Sequence, residues 1–229
     1  MTIQLTLPVN LHNDTTFANF YPGNNAHLIK ALNELLSGEG ERFIYLWGKS
    51  GVGKTHLLQA CCHSLYDQGH AITYLSFHTP YLTPEIFPGL ECTDLVCLDD
   101  VEVILGQSDW EEALLHFYNR ARARSVRLIV SGNDTPSRLS CKLPDLHSRL
   151  AWGLAFQVFG LSDEQKLLAL QLHASQRGLI LSREVGQFLL RHYPRDMTAL
   201  FHAFNKLDHA SLVTQRRLTI PLVKEVLEI

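Results

Sequence analysis

Between residues 43 and 159 short apolar runs alternate with amphipathic stretches. Phe43-Ile44-Tyr45-Leu46-Trp47, Ala71 to Leu75, Leu95 to Leu98, Arg127 to Ser131 and Ala155 to Phe159 predict five strands. Helices are predicted between them, from Thr55 to about Gln68 and from Asp109 to Ala123. Runs without polar alternation suit strands buried on both faces, and the helix spacing suits parallel pairing. The expected fold is therefore α/β, a five-stranded parallel sheet flanked by helices. Upstream, Leu28, Leu32, Leu35 and Leu36 mark a helix over 26–36.

After Gly160 the strand signals stop. Ser162 and Gln165 have capping-box spacing and open a helix that Gly178 ends. Two more follow, over 182–193 and 196–213, and Thr219-Ile220-Pro221 starts a last short one. The expected organisation is a tail over 1–13, an α/β domain over 14–160 and a small all-helical domain over 161–229.

Charge and composition narrow the function class. A formal charge of −3 and a pI near 6.4 give the whole surface no general attraction for nucleic acid. No apolar run reaches the ~20 residues of a membrane helix, and the N-terminus lacks a signal-type core. The five cysteines form no CxxC pair, which suits a reducing cytoplasm and thiols acting as small buried hydrophobes. Zinc-ligand spacings are missing, and no metal ligand other than for Mg²⁺ is expected.

Four motifs carry chemistry. Gly48-Lys49-Ser50-Gly51-Val52-Gly53-Lys54-Thr55 fits the phosphate-binding P-loop pattern between a strand and a helix. Gly48, Gly51 and Gly53 let backbone N–H groups turn toward phosphate, with Ser50, Val52 and His56 completing the contact set. Lys54 would reach the β/γ-phosphates and Thr55 would ligate Mg²⁺. Asp99 ends the third apolar run, where it can hold the Mg²⁺ hydration shell, and Asp100 can orient water. Asn133, just past the fourth run, either contacts water or phosphate or satisfies a turn. Arg149, in Ser148-Arg149-Leu150-Ala151-Trp152-Gly153, either stabilises a transferring phosphoryl group or makes a surface salt bridge. Arg120, Arg122, Arg124 and Arg127 read best as a solvated helix end.

P-loop, Asp-Asp strand end, polar fourth strand, Ser-Arg-Leu-x-Trp-Gly and helical lid together resemble the AAA+ module of the DnaA family. Thr16-Phe17-Ala18-Asn19-Phe20 and Gly23-Asn24-Asn25 are similar to the segment leading into that module, and the resemblance spans 14–229. Ending at Ile229 without a helix-turn-helix domain, the chain resembles the free-standing Hda-type regulators, as does Gln215-Arg216-Arg217-Leu218-Thr219-Ile220-Pro221. Gln4-Leu5-Thr6-Leu7-Pro8 is similar to the peptides that dock on the DNA polymerase sliding clamp, with Gln4, Leu5, Leu7 and Pro8 as contacts.

The resemblance implies a cytoplasmic, replisome-associated negative regulator of replication initiation. It would hold ADP (or ATP) with Mg²⁺, dock on DNA-loaded clamp and promote hydrolysis of ATP bound to DnaA. Arg149 matches the arginine-finger position, acting in trans, and Asn133 the first sensor. A homodimer is compatible with the family, and sequence-specific DNA binding is not expected. The lid position where the family has a sensor arginine holds Thr198, with Arg195 three residues earlier as a substitute. A DnaC-type helicase loader, binding single-stranded DNA through residues such as Arg120 and Arg124, and an adaptor that promotes no hydrolysis are the competing readings.

Overall fold

A computed structural model describes residues 15–229. It divides into two compact units, Asn25–Val158 with residues 15–17, and Phe159–Ile229 with Ala18–Asn24.

The larger unit is built on β1 (Phe43–Trp47), β2 (Ile72–Ser76), β3 (Leu95–Asp99), β4 (Arg127–Gly132) and β5 (Leu154–Gln157). All pairs are parallel and the spatial order is β2-β3-β4-β1-β5. Strand alternation divides the side chains between two helical layers. Tyr45, Val96, Leu98, Leu128 and Val130 share one buried cluster with Leu114, Phe117, Tyr118 and Ala121 of α3 (Ser108–Ala123). Helix α2 (Lys54–Tyr66) packs on β2 and β3, burying Leu57, Leu58, Cys61, Cys62 and Leu65. Helix α1 (Ala26–Ser37) packs against α2. It ends at Gly38 in the left-handed region (φ 83°), where the N–H of Glu39 reaches the carbonyl of Glu34.

All five residues of β3 are buried, as expected of a strand with neighbours on both sides. Strand β5 differs from the sequence reading. It has one strand neighbour, β1, and Leu154 is 43% exposed. Phe159 lies beyond its end. A short helix absent from the sequence reading, α4 (Pro144–Leu150), precedes it. Cys61, Cys62 and Cys97 are buried hydrophobes as read, whereas Cys92 is exposed.

The second unit holds α5 (Asp163–Gln176), α6 (Arg183–His192), α7 (Met197–Thr214) and α8 (Ile220–Leu227). Both halves of the capping box form: Gln165 N–H donates to Ser162 Oγ at 3.3 Å, and Ser162 N–H to Gln165 Oε1 at 2.9 Å. Ser182 and Asp196 cap α6 and α7. Leu170, Leu189, Phe204, Leu207, Leu222 and Val223 form its core. Gly186 allows α5 and α6 to meet closely, since a Cβ there would lie 2.1 Å from Leu167 Cδ1. Among the described residues no helix is long and apolar enough to cross a membrane.

Candidate functional site

The loop between β1 and α2 wraps a concave surface. Gly53 precedes α2 with φ 104°, a conformation costly for residues with a side chain. A Cβ on Gly48 would lie 2.8 Å from the carbonyl oxygen of Val158, so the strand-to-loop exit admits only glycine without movement. Among the described residues, the N–H groups of 49–53 donate to no backbone carbonyl. A ring of uncommitted donors ahead of a 13-residue helix fits a phosphate group. Lys54 is 6% exposed, and its Nζ donates to the carbonyls of Gly48 (2.9 Å) and Lys49 (3.4 Å).

Asp99 ends β3 at 1% exposure. Its carboxylate accepts from Thr55 Oγ1 (2.7 Å), Tyr74 OH (2.8 Å) and the Ser131 hydroxyl. Ser131 also accepts from the Asp100 N–H at 2.9 Å. The hydroxyl of Thr55 and the carboxylate of Asp99 form an oxygen-only donor set, which suits Mg²⁺ shared with a phosphate. Among the described residues no three His, Cys, Asp or Glu could hold a metal by themselves.

Asp100 sits in the left-handed region (φ 58°), tolerated better by Asp than by most residues. Burial, then the neighbouring Asp99 charge, pushes its pKa up, and Lys54 and His78 oppose this. His78 Nε2 lies 3.4 Å from Asp100 Oδ2. Glu102 shares the region. Burial raises its pKa too, and its Oε2 is buried without a partner among the described residues.

The structure thus brings Gly48, Ser50, Gly51, Val52, Gly53, Lys54, Thr55, Asp99 and Asp100 into one neighbourhood. Asn133 lies one residue past the end of β4, is exposed and makes no side-chain hydrogen bond among the described residues. Ser131, at 0% exposure, is the polar residue of β4 that meets the Asp99 carboxylate and the Asp100 N–H. His56 is turned to the chain leading into the module: its Nε2 lies 2.9 Å from the Thr16 carbonyl. Gln4, Leu5, Leu7 and Pro8 fall outside the described residues. In the second unit Arg195 is 61% exposed and donates to the Leu190 carbonyl (3.1 Å) and to Asp163 (3.2 Å). Thr198 is exposed on α7.

Arg149 belongs to the other end of the sheet. It occupies the last turn of α4 and lines a cavity of about 500 Å³ with Gly40 to Phe43, at the start of β1. The P-loop leaves the far end of that strand, about 16 Å away for five residues at ~3.3 Å each. The approach to α4 is fixed by Glu111, a 0%-exposed carboxylate. It accepts from the N–H groups of Gly106 (2.6 Å), Lys142 (3.0 Å) and Leu143 (2.8 Å). Burial raises its pKa, and these donors outweigh that and hold it low. Arg149 Nε is buried without a partner among the described residues, and the salt bridge open from sequence does not form. The neighbouring arginines are not simply solvated. Arg120 pairs with Glu91 at 3.2 Å and Arg124 Nη1 meets Cys92 Sγ at 3.0 Å.

Residues 11–88 match the family model of the bacterial DnaA ATPase domain, and residues 163–227 match that of the Hda lid domain. The chain is an Hda-like, DnaA-related AAA+ protein. Solved structures agree on the fold. Domain III of the Thermotoga maritima replication initiation protein DnaA superposes with a TM-score of 0.78 at 21% identity, over 94% of this chain and 96% of that one. AMPPCP-bound DnaA from Aquifex aeolicus gives 0.70 at 22% identity, over 86% of this chain and 65% of that one. The Thermotoga maritima RuvB Holliday junction branch migration motor gives 0.64 at 16% identity, over 88% and 66%. This Hda-like chain shares with them a parallel P-loop sheet followed by a helical lid.

Proposed function

We propose that this Hda-like chain is a nucleotide-held regulator of replication initiation that promotes hydrolysis of ATP bound to DnaA. The observation that carries this reading is the position of Arg149. Its guanidinium stands at the sheet end opposite its own P-loop, with a buried Nε that has no partner among the described residues. An arginine so placed is unsuited to its own nucleotide. Its terminal guanidinium nitrogens make no hydrogen bond or ion pair among the described residues that would keep them from a neighbour's. A finger supplied in trans is worth ~10³–10⁵ in rate in other NTPases.

In this reading the N–H groups of 49–53, with Lys54, hold the phosphates of ADP or ATP on this chain. Thr55 and Asp99 hold Mg²⁺ or its waters, and Asp100 orients water. When bound, Mg²⁺ supplies charge compensation for the phosphates. The nucleotide serves to order the module, and intrinsic turnover is weak. The AMPPCP-bound DnaA structures, alike in fold, support a nucleotide in this loop. Gln4, Leu5, Leu7 and Pro8 dock on the sliding clamp, which brings the chain to DNA that has been replicated. Arg120 and Arg124, the candidate DNA contacts of the helicase-loader reading, meet Glu91 and Cys92.

The test uses DnaA preloaded with labelled ATP, mixed with this chain, clamp-loaded DNA, or both, beside a control of the chain with labelled ATP and no DnaA. Fast hydrolysis in the full mixture alone is the expected result. Equal hydrolysis by the chain without DnaA would overturn the reading in favour of an autonomous ATPase.

A further inference from the structure

Arg149 is held by a ring rather than by a carboxylate. Its Cζ lies 4.8 Å from the centroid of Trp152, and Arg122 Cζ lies 3.5 Å from the same centroid. Neither guanidinium forms an ion pair with a carboxylate among the described residues. The difference is chemical. A carboxylate would occupy the N–H fork and cancel the charge, whereas an indole face attracts the cation through its quadrupole and leaves the donors uncommitted.

The platform is itself fixed. Gly153 has φ 75°, and a Cβ there would lie 2.3 Å from the Phe43 carbonyl oxygen, so the turn is pressed against the start of β1. Trp152 remains 39% exposed at the surface. Arg149 and Tyr118 both line the adjoining cavity, and Arg149 Nε and Tyr118 OH are each buried without a partner among the described residues. Two buried polar groups without partners thus sit beside a charge that no carboxylate of the described residues neutralises.

We propose that Trp152 and Arg122 are positioning residues for Arg149. Trp152 holds the guanidinium at the orientation needed for a phosphoryl group brought by a partner, and Arg122 locks the indole ring from α3. This rests on the reading of Arg149 as the group acting on DnaA-bound ATP. It deepens that reading by explaining how a long, flexible side chain is kept ready without an ion pair. It also gives Arg122 a role other than that of a solvated helix end.

The test titrates this chain into DnaA–ATP with clamp-loaded DNA and separates maximal turnover from half-saturating concentration. Arg149→Ala is the control for the underlying reading. Trp152→Leu should lower turnover roughly 2- to 30-fold, the range expected for one cation–π contact, with half-saturation unchanged. Trp152→Phe should recover most of the loss. Arg122→Ala should lower turnover by less, and Arg122→Lys should restore it. Loss with Arg149→Ala but wild-type turnover with Trp152→Leu overturns the platform and leaves the finger. A raised half-saturation at unchanged turnover overturns it in favour of docking. Wild-type turnover with Arg149→Ala removes both. If Trp152→Leu melts early, Arg122→Ala on the exposed surface of α3 decides: wild-type turnover overturns the proposal, and reduced turnover restored by lysine supports it.

Discussion

Ser131→Ala removes the hydroxyl by which β4 holds the Asp99 carboxylate and the Asp100 N–H. The serine hydroxyl is at 0% exposure, donates to Asp99 and accepts from the Asp100 N–H. Alanine is too small to disturb packing, so the loss reports two broken bonds. Each leaves a buried or half-buried group unsatisfied at ~1–3 kcal/mol, and the lower half of that range applies to both: Asp99 retains bonds from Thr55 and Tyr74, and the Asp100 N–H is only half-buried. About 2–4 kcal/mol follows. At roughly 2–4 °C per kcal/mol for a chain of this size, the midpoint should fall by about 4–16 °C. Asn133→Ala, at an exposed position with no hydrogen bond, should stay within about 0.5 kcal/mol. The assay is thermal unfolding of both variants, paired with titration of a fluorescent ADP analogue. Ser131→Ala should also weaken nucleotide binding by loosening Asp99 beside Thr55. Equal behaviour of the two variants, or a larger effect at Asn133, would show that Ser131 does not hold Asp99 in place.

Burial lowers the pKa of His56, with the Thr16 carbonyl opposing it and His63 adding to it. Below the unfolded value of about 6.5 the unfolded chain then binds more protons than the folded one, so stability falls with falling pH. Melting curves from pH 8 to 5 should show that decline, and His56→Gln should flatten it; an unchanged slope would remove His56 as the cause. Gly153→Ala must accept φ 75° and a Cβ 2.3 Å from the Phe43 oxygen, so it should cost more than about 1 kcal/mol in chemical denaturation. Alanine at Gln4, Leu5 and Leu7 together should abolish pulldown by the sliding clamp while leaving the melting midpoint alone, and retained pulldown would eliminate the tail as the docking element.

What could be read without coordinates was local. The β1–loop–α2 unit announces itself because its apolar run, glycines, lysine and threonine are contiguous. The same holds for the Ser162–Gln165 cap, whose two hydrogen bonds span three residues. The Asp99 neighbourhood was half legible. Thr55 and Asp99 carry motif positions, but Tyr74 and Ser131 reach the carboxylate only because β2 and β4 flank β3, and that strand order is a property of crossovers. Asn133, expected from the sequence to contact water or phosphate, lies exposed one residue past the end of β4. Helix α4 was invisible. Its seven residues begin with proline and lack a full amphipathic repeat, and its start is fixed by Glu111, thirty-three residues upstream of Pro144. Arg122 and Trp152 are thirty residues apart, and no periodicity brings them together. The exposure of β5 follows from its single strand neighbour, again a matter of topology.

The central claim, that Arg149 acts on ATP held by DnaA, is tested most directly by one substitution. Wild-type chain and Arg149→Ala are compared for single-turnover hydrolysis of labelled ATP preloaded on DnaA, with clamp-loaded DNA present and clamp binding measured in parallel. Arg149→Ala is expected to bind clamp as the wild type does and to lose most of the stimulated hydrolysis, by a factor toward ~10³. Wild-type hydrolysis by a clamp-bound Arg149→Ala would contradict it.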